Sequence, residues 1–177
     1  DFSNDSTNLT VSADGDLGYD SDRFENGVGL NIGSSLSKFA GFYLQVNDSI
    51  LLDNLPINIS EGIKEKDFTS NSKIRPIQDE DRLFSYGIFE DTLGLFTIEQ
   101  ITQTSLNYPQ KANILSYTIT NMSVDTLSIS SGIWVDADNT ETSNDYGIIV
   151  QDSMIYQSNV QGQVFGIKIL DHFPRYQ

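Results

Sequence analysis

The stretch that decides the fold covers residues 115–138, LSYTITNMSVDTLSISSGIWVDAD. Apolar and polar residues alternate along it in two runs, one on each side of a polar turn, with apolar positions at Leu115, Tyr117, Ile119, Leu127, Ile129, Ile133 and Val135. Side chains two residues apart lie on the same face of a strand, so each run predicts a strand with one buried and one solvated face. The second run leads into Asp136 and Asp138. The stretch therefore predicts two strands at the edge of a sheet, followed by an acidic loop.

Other runs rich in β-branched and aromatic residues predict further strands. With the two above, they cover residues 9–13, 28–32, 39–46, 49–52, 84–90, 95–102, 114–121, 126–135, 147–152 and 164–170. Asn47-Asp48 and Asp91-Thr92 are typical of tight hairpin connections. No window shows a 3.6-residue apolar period, so the predicted fold class is all-β: an antiparallel β-sandwich, jelly-roll or immunoglobulin-like. Residues 56–78 are the least regular, and we expect one long irregular excursion there, or a short helix over residues 61–66.

Length and composition limit the possible partners. We expect residues 1–177 to form a single domain that is a fragment of a larger surface protein. The formal net charge of −15 would repel nucleic acid and an anionic membrane surface. No apolar run approaches the roughly 18 residues that a membrane-spanning helix needs, so no membrane insertion is expected. Cysteine is absent, which excludes disulfides, thiolate zinc sites and cysteine nucleophiles. The chain begins at Asp1 and not at a methionine, as a processed product would.

A first acidic cluster has a spacing close to that of an EF-hand calcium loop. Its carboxylates are Asp14, Asp16, Asp20, Asp22 and Glu25. The sixth position of the loop is Tyr19, where an EF-hand has glycine, and the flanks predict strands instead of helices. Two interpretations remain open: a calcium site formed by Asp14, Asp16 and Asp20, or a solvated acidic hairpin loop.

A second acidic cluster follows the strand that carries the tryptophan. Asp136 and Asp138 leave that strand on the same side, and Asp145 precedes the next one. Convergent carboxylates repel one another unless a cation or protons lie between them. Bound Ca²⁺ would relieve that repulsion and order the loop, and the alternative is an open loop whose charges water screens. Calcium is the one cofactor that the sequence suggests.

Trp134 is the only tryptophan and alternates with Ile133 and Val135. If these two neighbours are in the core, the indole lies on the opposite face, where it could stack on a sugar ring. Tyr146 and Tyr156 are candidate companions in such a carbohydrate-binding site. The alternative is that a loop or a second layer covers the indole.

A catalytic centre has little support in the sequence. His172 is the only histidine, and there is no G-x-S-x-G nucleophile elbow. The acidic residues Glu90, Asp91 and Glu99 could be paired for glycosidase chemistry, but any acidic protein offers such pairs. We therefore predict that the chain is not an enzyme.

One triplet recurs: Asp, then Ser or Thr, then an aliphatic residue, Met or Thr. Its hydroxyl residues are Ser6, Ser49, Thr92, Thr126 and Ser153. One interpretation is structural, because Asp-Ser and Asp-Thr favour turns and the third residue begins a strand. The triplet also resembles the O-glycosylation acceptor that Bacteroidota use for exported proteins.

A longer resemblance rests on YTITNMSVDTLSISSGIWVDADNTETSNDYG (residues 117–147) and MIYQSNVQGQVFGIKIL (residues 154–170). These stretches resemble a region of large surface or secreted proteins of Bacteroidota that leave the cell through the type IX secretion system. The matching features are an Asn-x-Ser turn at Asn121, a Thr126-Leu127 strand, the acidic loop after Gly132, Tyr156, and Gly166-Ile167. Residues 9–11 and 15–18 are similar to the opening hairpin of that family. The family often has an aromatic residue where this chain has Ala137, which weakens the case for a shared ligand.

The resemblance implies an extracellular β-sandwich at the bacterial surface, with no implied activity. We expect a non-catalytic structural or adhesive module, stabilised by calcium and O-glycosylated. Its partners would be other domains of the same or neighbouring surface proteins, and glycans. The alternative is a carbohydrate-binding module of a secreted hydrolase.

Overall fold

The computed structural model describes residues 2–3, 7–11, 15, 17–18, 30–32, 35–37, 39–47, 50–53, 64–78, 82–105, 113–136, 146–150, 154–158 and 164–168. These residues form β-strands and turns, and none of them is helical. Accordingly, the described residues contain no helix long and apolar enough to cross a membrane.

The strands occur along most of the described chain. In chain order they are β1 (Phe2–Ser3), β2 (Thr7–Leu9), β3 (Leu17–Gly18), β4 (Leu30–Ile32), β5 (Ser35–Ser37), β6 (Phe39–Val46), β7 (Ile50–Asp53), β8 (Lys64–Gln78), β9 (Arg82–Asp91), β10 (Phe96–Ser105), β11 (Asn113–Asn121), β12 (Ile129–Asp136), β13 (Tyr146–Val150), β14 (Met154–Ser158) and β15 (Val164–Lys168). The all-β prediction is confirmed for the described residues, and β6 has the bounds predicted for it.

Three sheets account for these strands. The largest has the order β11-β10-β9-β8-β7-β6-β12, and β3 also pairs with β6. Strands β1, β2, β4 and β5 form a second sheet, and β13, β14 and β15 form a third. Described pairs are antiparallel, as expected, except for the parallel pair of β7 and β8. Parallel neighbours need a long crossover, and residues 54–63 connect these two strands.

The predicted irregular excursion over residues 56–78 is wrong from Lys64 onward, because residues 64–78 form the long strand β8. The helix alternative is also wrong for residues 64–66. Residues 64–67 pair with β7, and later residues pair with β9 across two register shifts. Partners on both sides hold this segment extended although its own residues do not alternate. The part of the excursion before Lys64 lies outside the described residues.

The core forms where β6 meets the strands of the β9–β11 group. Its buried residues are Phe42, Leu44, Val46, Phe68, Phe89, Phe96 and Ile98. The rings of Phe42 and Tyr117 stack with centroids 4.3 Å apart, and those of Phe42 and Phe68 with centroids 6.3 Å apart. Strands β7 to β10 lie between β6 and β11 in the sheet order, yet Phe42 and Tyr117 touch. The strand order therefore curls over its own apolar face.

A second apolar cluster extends this core toward the start of β6. Leu9, Leu17 and Ala40 are buried in it. Four partly buried residues from other segments pack against them: Val11, Leu83, Leu115 and Ile133. The packing of Ile133 confirms that this side of β12 faces the core and that Trp134 occupies the opposite face.

The turn between β9 and β10 depends on one buried carboxylate. Asp91 is 3% exposed, and its Oδ1 accepts a hydrogen bond from Leu93 N at 2.7 Å. Its Oδ2 accepts from Leu95 N at 2.7 Å and from the buried Phe96 N at 2.6 Å. Gly94, with φ of 69°, supplies the left-handed conformation that the turn requires. The predicted turn at Asp91-Thr92 is confirmed, and its aspartate has a structural role.

Replacement of Asp91 by alanine should lower the free energy of unfolding by about 3 kcal/mol, because three main-chain donors lose a charged acceptor and one of them is buried. Asp91→Asn should cost about half as much, since its amide keeps one acceptor oxygen. Urea denaturation followed by circular dichroism measures both. Asp125→Ala is the matched control, because Asp125 is exposed and its described hydrogen bonds use the main chain. Equal losses for Asp91→Ala and Asp125→Ala would contradict the assigned role.

Candidate functional site

Strand pairing at the N-terminal end of β6, at Phe39, relates the two acidic segments to each other. Gly18 of β3 and Asp136 of β12 both pair with Phe39, from opposite sides of β6. Strands that are two places apart in a sheet are separated by about 10 Å. The acidic cluster of residues 14–25, which contains Gly18, and the acidic segment that begins at Asp136 therefore each have a described residue at the same end of β6. We call this region, defined by Gly18, Phe39 and Asp136, the acidic end.

A short hairpin leads the first acidic segment to this end. Val11 and Leu17 form an antiparallel bridge, and Gly18 N donates a hydrogen bond to Thr10 O at 2.8 Å. Gly15 and Gly18 both have φ of 97°, a conformation that glycine adopts without steric cost. The flanks of the acidic loop are extended here, as predicted, and not helical like those of an EF-hand.

The metal ligands predicted from the sequence can be placed only in part. Asp136 is the last residue of β12. The other five lie outside the described residues: Asp14, Asp16, Asp20, Asp138 and Asp145. Across the described ranges, no group of three or more His, Asp or Glu residues is arranged to hold a metal ion. The calcium sites therefore stay a prediction.

The opposite end of β6 gathers three turns. Met122 N donates to Leu95 O at 2.8 Å, which joins the β11–β12 connection to the β9–β10 turn. Asn47 N donates to Ser128 O at 2.9 Å, and Ser128 N donates to Asn47 Oδ1 at 3.1 Å. The β11–β12 connection thus contacts both other turns. We call Asn47 together with the turns at residues 92–95 and 122–128 the turn end, about 23 Å from the acidic end along β6.

The β11–β12 connection is organised by its own polar side chains. Asn121 Oδ1 accepts from Ser123 N at 2.9 Å, and Asn121 Nδ2 donates to Asp125 O at 2.9 Å. Ser123 Oγ lies 2.8 Å from Asn121 Oδ1 and 3.1 Å from Asp125 O. Asn and Ser side chains of this kind replace main-chain partners in tight turns. The turn predicted at residues 121–123 is confirmed.

Two of the five Asp-Ser/Thr triplets belong to the turn end, and a third follows Asn47 in the sequence. Thr92 and Thr126 are exposed there, and Leu127 packs partly buried against the core. The third triplet spans residues 48–50, of which the structure describes only Ile50, the first residue of β7. The remaining acceptor residues, Ser6, Ser49 and Ser153, lie outside the described residues. Two of the predicted glycosylation sites are thus accessible hydroxyls on neighbouring turns.

Two aromatic residues share the outward face of β6 and β12. Trp134 is paired with Gly41, and Tyr43 with Gly132. The Tyr43 ring covers Gly132 so closely that a Cβ on that glycine would lie 2.7 Å from the ring. Each aromatic residue therefore stands opposite a glycine, and the two occupy diagonal positions on one face. Both are half-buried. The sequence analysis missed Tyr43, because only strand pairing relates it to Trp134.

The tyrosines expected to accompany Trp134 lie in a different sheet. Tyr146 begins β13, and Tyr156 is central in β14. In the register of that sheet, Tyr146 is paired with Ser158, and Tyr156 is paired with Ile148 on one side and Gly166 on the other. The sheet order thus groups Tyr43, and neither of these tyrosines, with Trp134.

The inward face of the β9–β10–β11 group becomes polar at one end. Ser85, Gln100 and Thr102 are buried, and Ser85 is paired with Thr102. Ser85 Oγ, Gln100 Nε2 and Thr102 Oγ1 have no hydrogen-bond partner. The outward face of the same group carries an open apolar depression of about 340 Å³ lined by Ile77, Phe84, Tyr86, Ile101 and Gln103. Neither feature was predicted, because each face of β10 carries both polar and apolar residues.

Comparisons of this chain with protein-family models, curated proteins and solved structures find no match.

Proposed function

We propose that the chain is a non-catalytic, extracellular structural or adhesive module of a bacterial surface or secreted protein. The observation that carries the proposal is that three kinds of feature occupy different positions along β6. The apolar core lies at its centre, acidic segments adjoin one end, and hydroxyl-bearing turns adjoin the other. Asp91, the buried carboxylate of the described core, serves the main chain of a turn. The resemblance to type IX cargo of Bacteroidota, noted above, agrees with this function.

The same proposal takes the fold to be a β-sandwich of the jelly-roll or immunoglobulin-like type. Stacking of Phe42 on Tyr117 across the curled strand order supports two facing layers. Two layers that bury one shared apolar face are the usual architecture of an antiparallel sheet protein.

Calcium is proposed to hold the acidic end together. Asp136 would be a ligand, with Asp138 and Asp145 from its own loop, and Asp14, Asp16 and Asp20, which lie on both sides of Gly18 in the sequence, would form a second, weaker site. The pairing of Gly18 and Asp136 with Phe39 supports this assignment, because it brings two segments distant in sequence to one place. Oxygen ligands from separate loops suit calcium, which accepts flexible geometry.

Removal of calcium by a chelator should lower the melting temperature by about 5–10 °C, because an ion that binds only the folded chain stabilises it by mass action. Excess calcium should restore the original value, as measured by differential scanning calorimetry. Asp136→Asn should abolish the response, whereas Asp125→Asn at the turn end should retain it. A melting temperature that ignores both chelator and calcium would exclude the ion from the proposal.

O-glycosylation is proposed at the turn end, where the Asp-Thr-Leu triplets are found. Thr92 and Thr126 are exposed on turns that touch through Met122 and Leu95. A transferase needs an accessible hydroxyl in an extended or turn segment, and both residues provide one. Glycans here would lie at the end of the molecule away from the acidic segments.

Residues 1–177, when expressed in and exported from the native host, should have an intact mass above 19.7 kDa by whole sugar increments. Thr92→Ala and Thr126→Ala should each remove one increment in mass spectrometry. Thr120→Ala is the matched control, because Thr120 is exposed on β11 but does not follow an aspartate. An unmodified mass, or increments that survive both triplet variants, would remove these two residues from the proposal.

A carbohydrate-binding module is the second candidate function. The observation that favours it is the pairing of Trp134 and Tyr43 with glycines on one outward face. A glycine opposite an aromatic residue adds no side chain of its own to that face of the sheet, and indole and phenol rings stack on the apolar face of sugars.

Trp134 is the only tryptophan, so its fluorescence reports on this face alone. Titration with a panel of soluble glycans should shift or quench the emission for at least one sugar. Tyr43→Ala should weaken that binding by roughly tenfold, given the contribution of one aromatic contact. Tyr86→Ala is the control, because Tyr86 is equally half-buried but lies on the outward face of β9. Emission that no glycan changes would argue against this candidate.

A further inference from the structure

Among the described strands, β11 lies at the edge of its sheet, and its own sequence lacks the residues that usually protect an edge against pairing. Within the described residues it pairs with β10 alone, through nine consecutive register positions without a bulge. Its sequence, NILSYTITN, contains no charged residue and no proline. Natural sheets protect long edges with lysine, proline, bulges or inward charges, because an open edge recruits another strand.

The inward side chains of β11 are less buried than those of the neighbouring strand β10. Ile98 and Thr102 of β10 are almost completely buried, whereas Leu115 and Ile119 of β11 are only partly buried on the same face. A strand added beside β11 would cover these inward side chains further and continue the apolar layer.

Along β11, successive residues direct their main-chain N–H and C=O groups alternately toward β10 and toward the open side of the strand. Met122 N donates to Leu95 O, and hydrogen-bonded pairs recur at every second residue of an antiparallel ladder. Thr118 therefore bonds toward β10, while Leu115 and Ile119 direct their main-chain groups away from it. The open side thus presents the main chain of the inward-facing residues.

The sequence of β11 is nearly palindromic about Tyr117, since residues at equal distances on either side of it are of similar type. In an antiparallel pair centred on Tyr117, the facing residues would be Asn113 with Asn121, Ile114 with Thr120, Leu115 with Ile119, Ser116 with Thr118, and Tyr117 with itself. This register joins inward residues to inward residues and outward residues to outward residues, with Ser116 facing Thr118. It also joins the residues whose main-chain groups point to the open side, which gives about ten hydrogen bonds between the strands. The other edge strand, β12, lacks this symmetry, because Ile129 would face Asp136.

We propose that β11 is the interface for a second copy of this chain, which adds its own β11 antiparallel in the register centred on Tyr117. The two sheets become continuous across a twofold axis, in an isologous interface. The contact is small for a protein interface, so the dimer is in concentration-dependent exchange with the monomer. High salt strengthens it, because screening reduces the repulsion between two strongly acidic chains.

The first test measures mass by light scattering coupled to size-exclusion chromatography across a concentration series. The expected mass rises from 19.7 kDa toward twice that value. The double variant Ser116→Lys/Thr118→Lys places lysines directly opposite each other and should weaken association by roughly tenfold or more. Its copies should pair again with Ser116→Glu/Thr118→Glu copies. The control Thr97→Lys/Gln103→Lys adds equal charge to the outward face of β10 and should dimerise normally.

Added lysine reduces the net negative charge and would by itself favour association, so the expected weakening cannot come from overall charge. Circular dichroism checks that each variant is folded. A chain that stays monomeric at all soluble concentrations overturns the proposal. A dimer that the Lys pair on β11 leaves intact, or weakens no more than the control pair does, also overturns it.

The second test determines which residues of the two β11 strands face each other. Ser116 of one copy and the partner's Thr118 form a pair without main-chain hydrogen bonds, the closer type in an antiparallel ladder, whose Cα spacing a disulfide can span. The chain has no cysteine of its own. A mixture of Ser116→Cys and Thr118→Cys proteins should therefore form covalent dimers under mild oxidation faster than either protein alone. Equal rates in all three samples, or no covalent dimer in the mixture, would overturn the register.

Discussion

The packing of one face of β6 is the constraint on which the rest of the structure depends. Its even-numbered residues, Ala40, Phe42, Leu44 and Val46, are all buried. The last three pack in one cluster with Phe89 of β9 and Ile98 of β10, and the ring of Phe42 stacks on that of Tyr117 in β11. Because one face is committed to the core, the other face must carry Gly41 and Tyr43 outward. A slip of one residue would exchange the two rows, so the apolar row also sets the position of every feature that β6 supports.

Much of the fold can be read from the sequence where alternation is strong. The strand predicted over residues 39–46 is β6, and residues 113–121 and 129–136 form strands close to the predicted bounds. Two turns can also be predicted from the sequence, because Asp91 and Asn121 accept main-chain hydrogen bonds from the residues that follow them, as Asp and Asn commonly do in turns. In these segments the local preference and the tertiary contacts agree.

The remaining features depend on pairing, which local patterns do not encode. Strand β8 contains Lys64, Glu65 and Pro76 without a period of two, and it is extended because β7 and β9 pair with successive parts of it. In β10, Phe96 and Ile98 face inward together with Gln100 and Thr102, so the apolar row turns polar midway. Composition alone would have placed Ile101 inside. The candidate site has the same limitation: Trp134 was recognised, but its neighbour Tyr43 comes from the register of β12 on β6.

The distribution of charge follows from this architecture and limits how copies can approach. Carboxylate-rich segments adjoin β6 at Phe39, whereas β11 has no charge over its whole length. With a Debye length of about 8 Å at physiological ionic strength, charges act mainly on groups near them. Two acidic ends would repel each other at contact unless a cation lay between them, whereas two uncharged edges would feel only the screened remainder. The acidic segments and the uncharged strand β11 therefore differ in how strongly they would oppose the approach of another copy.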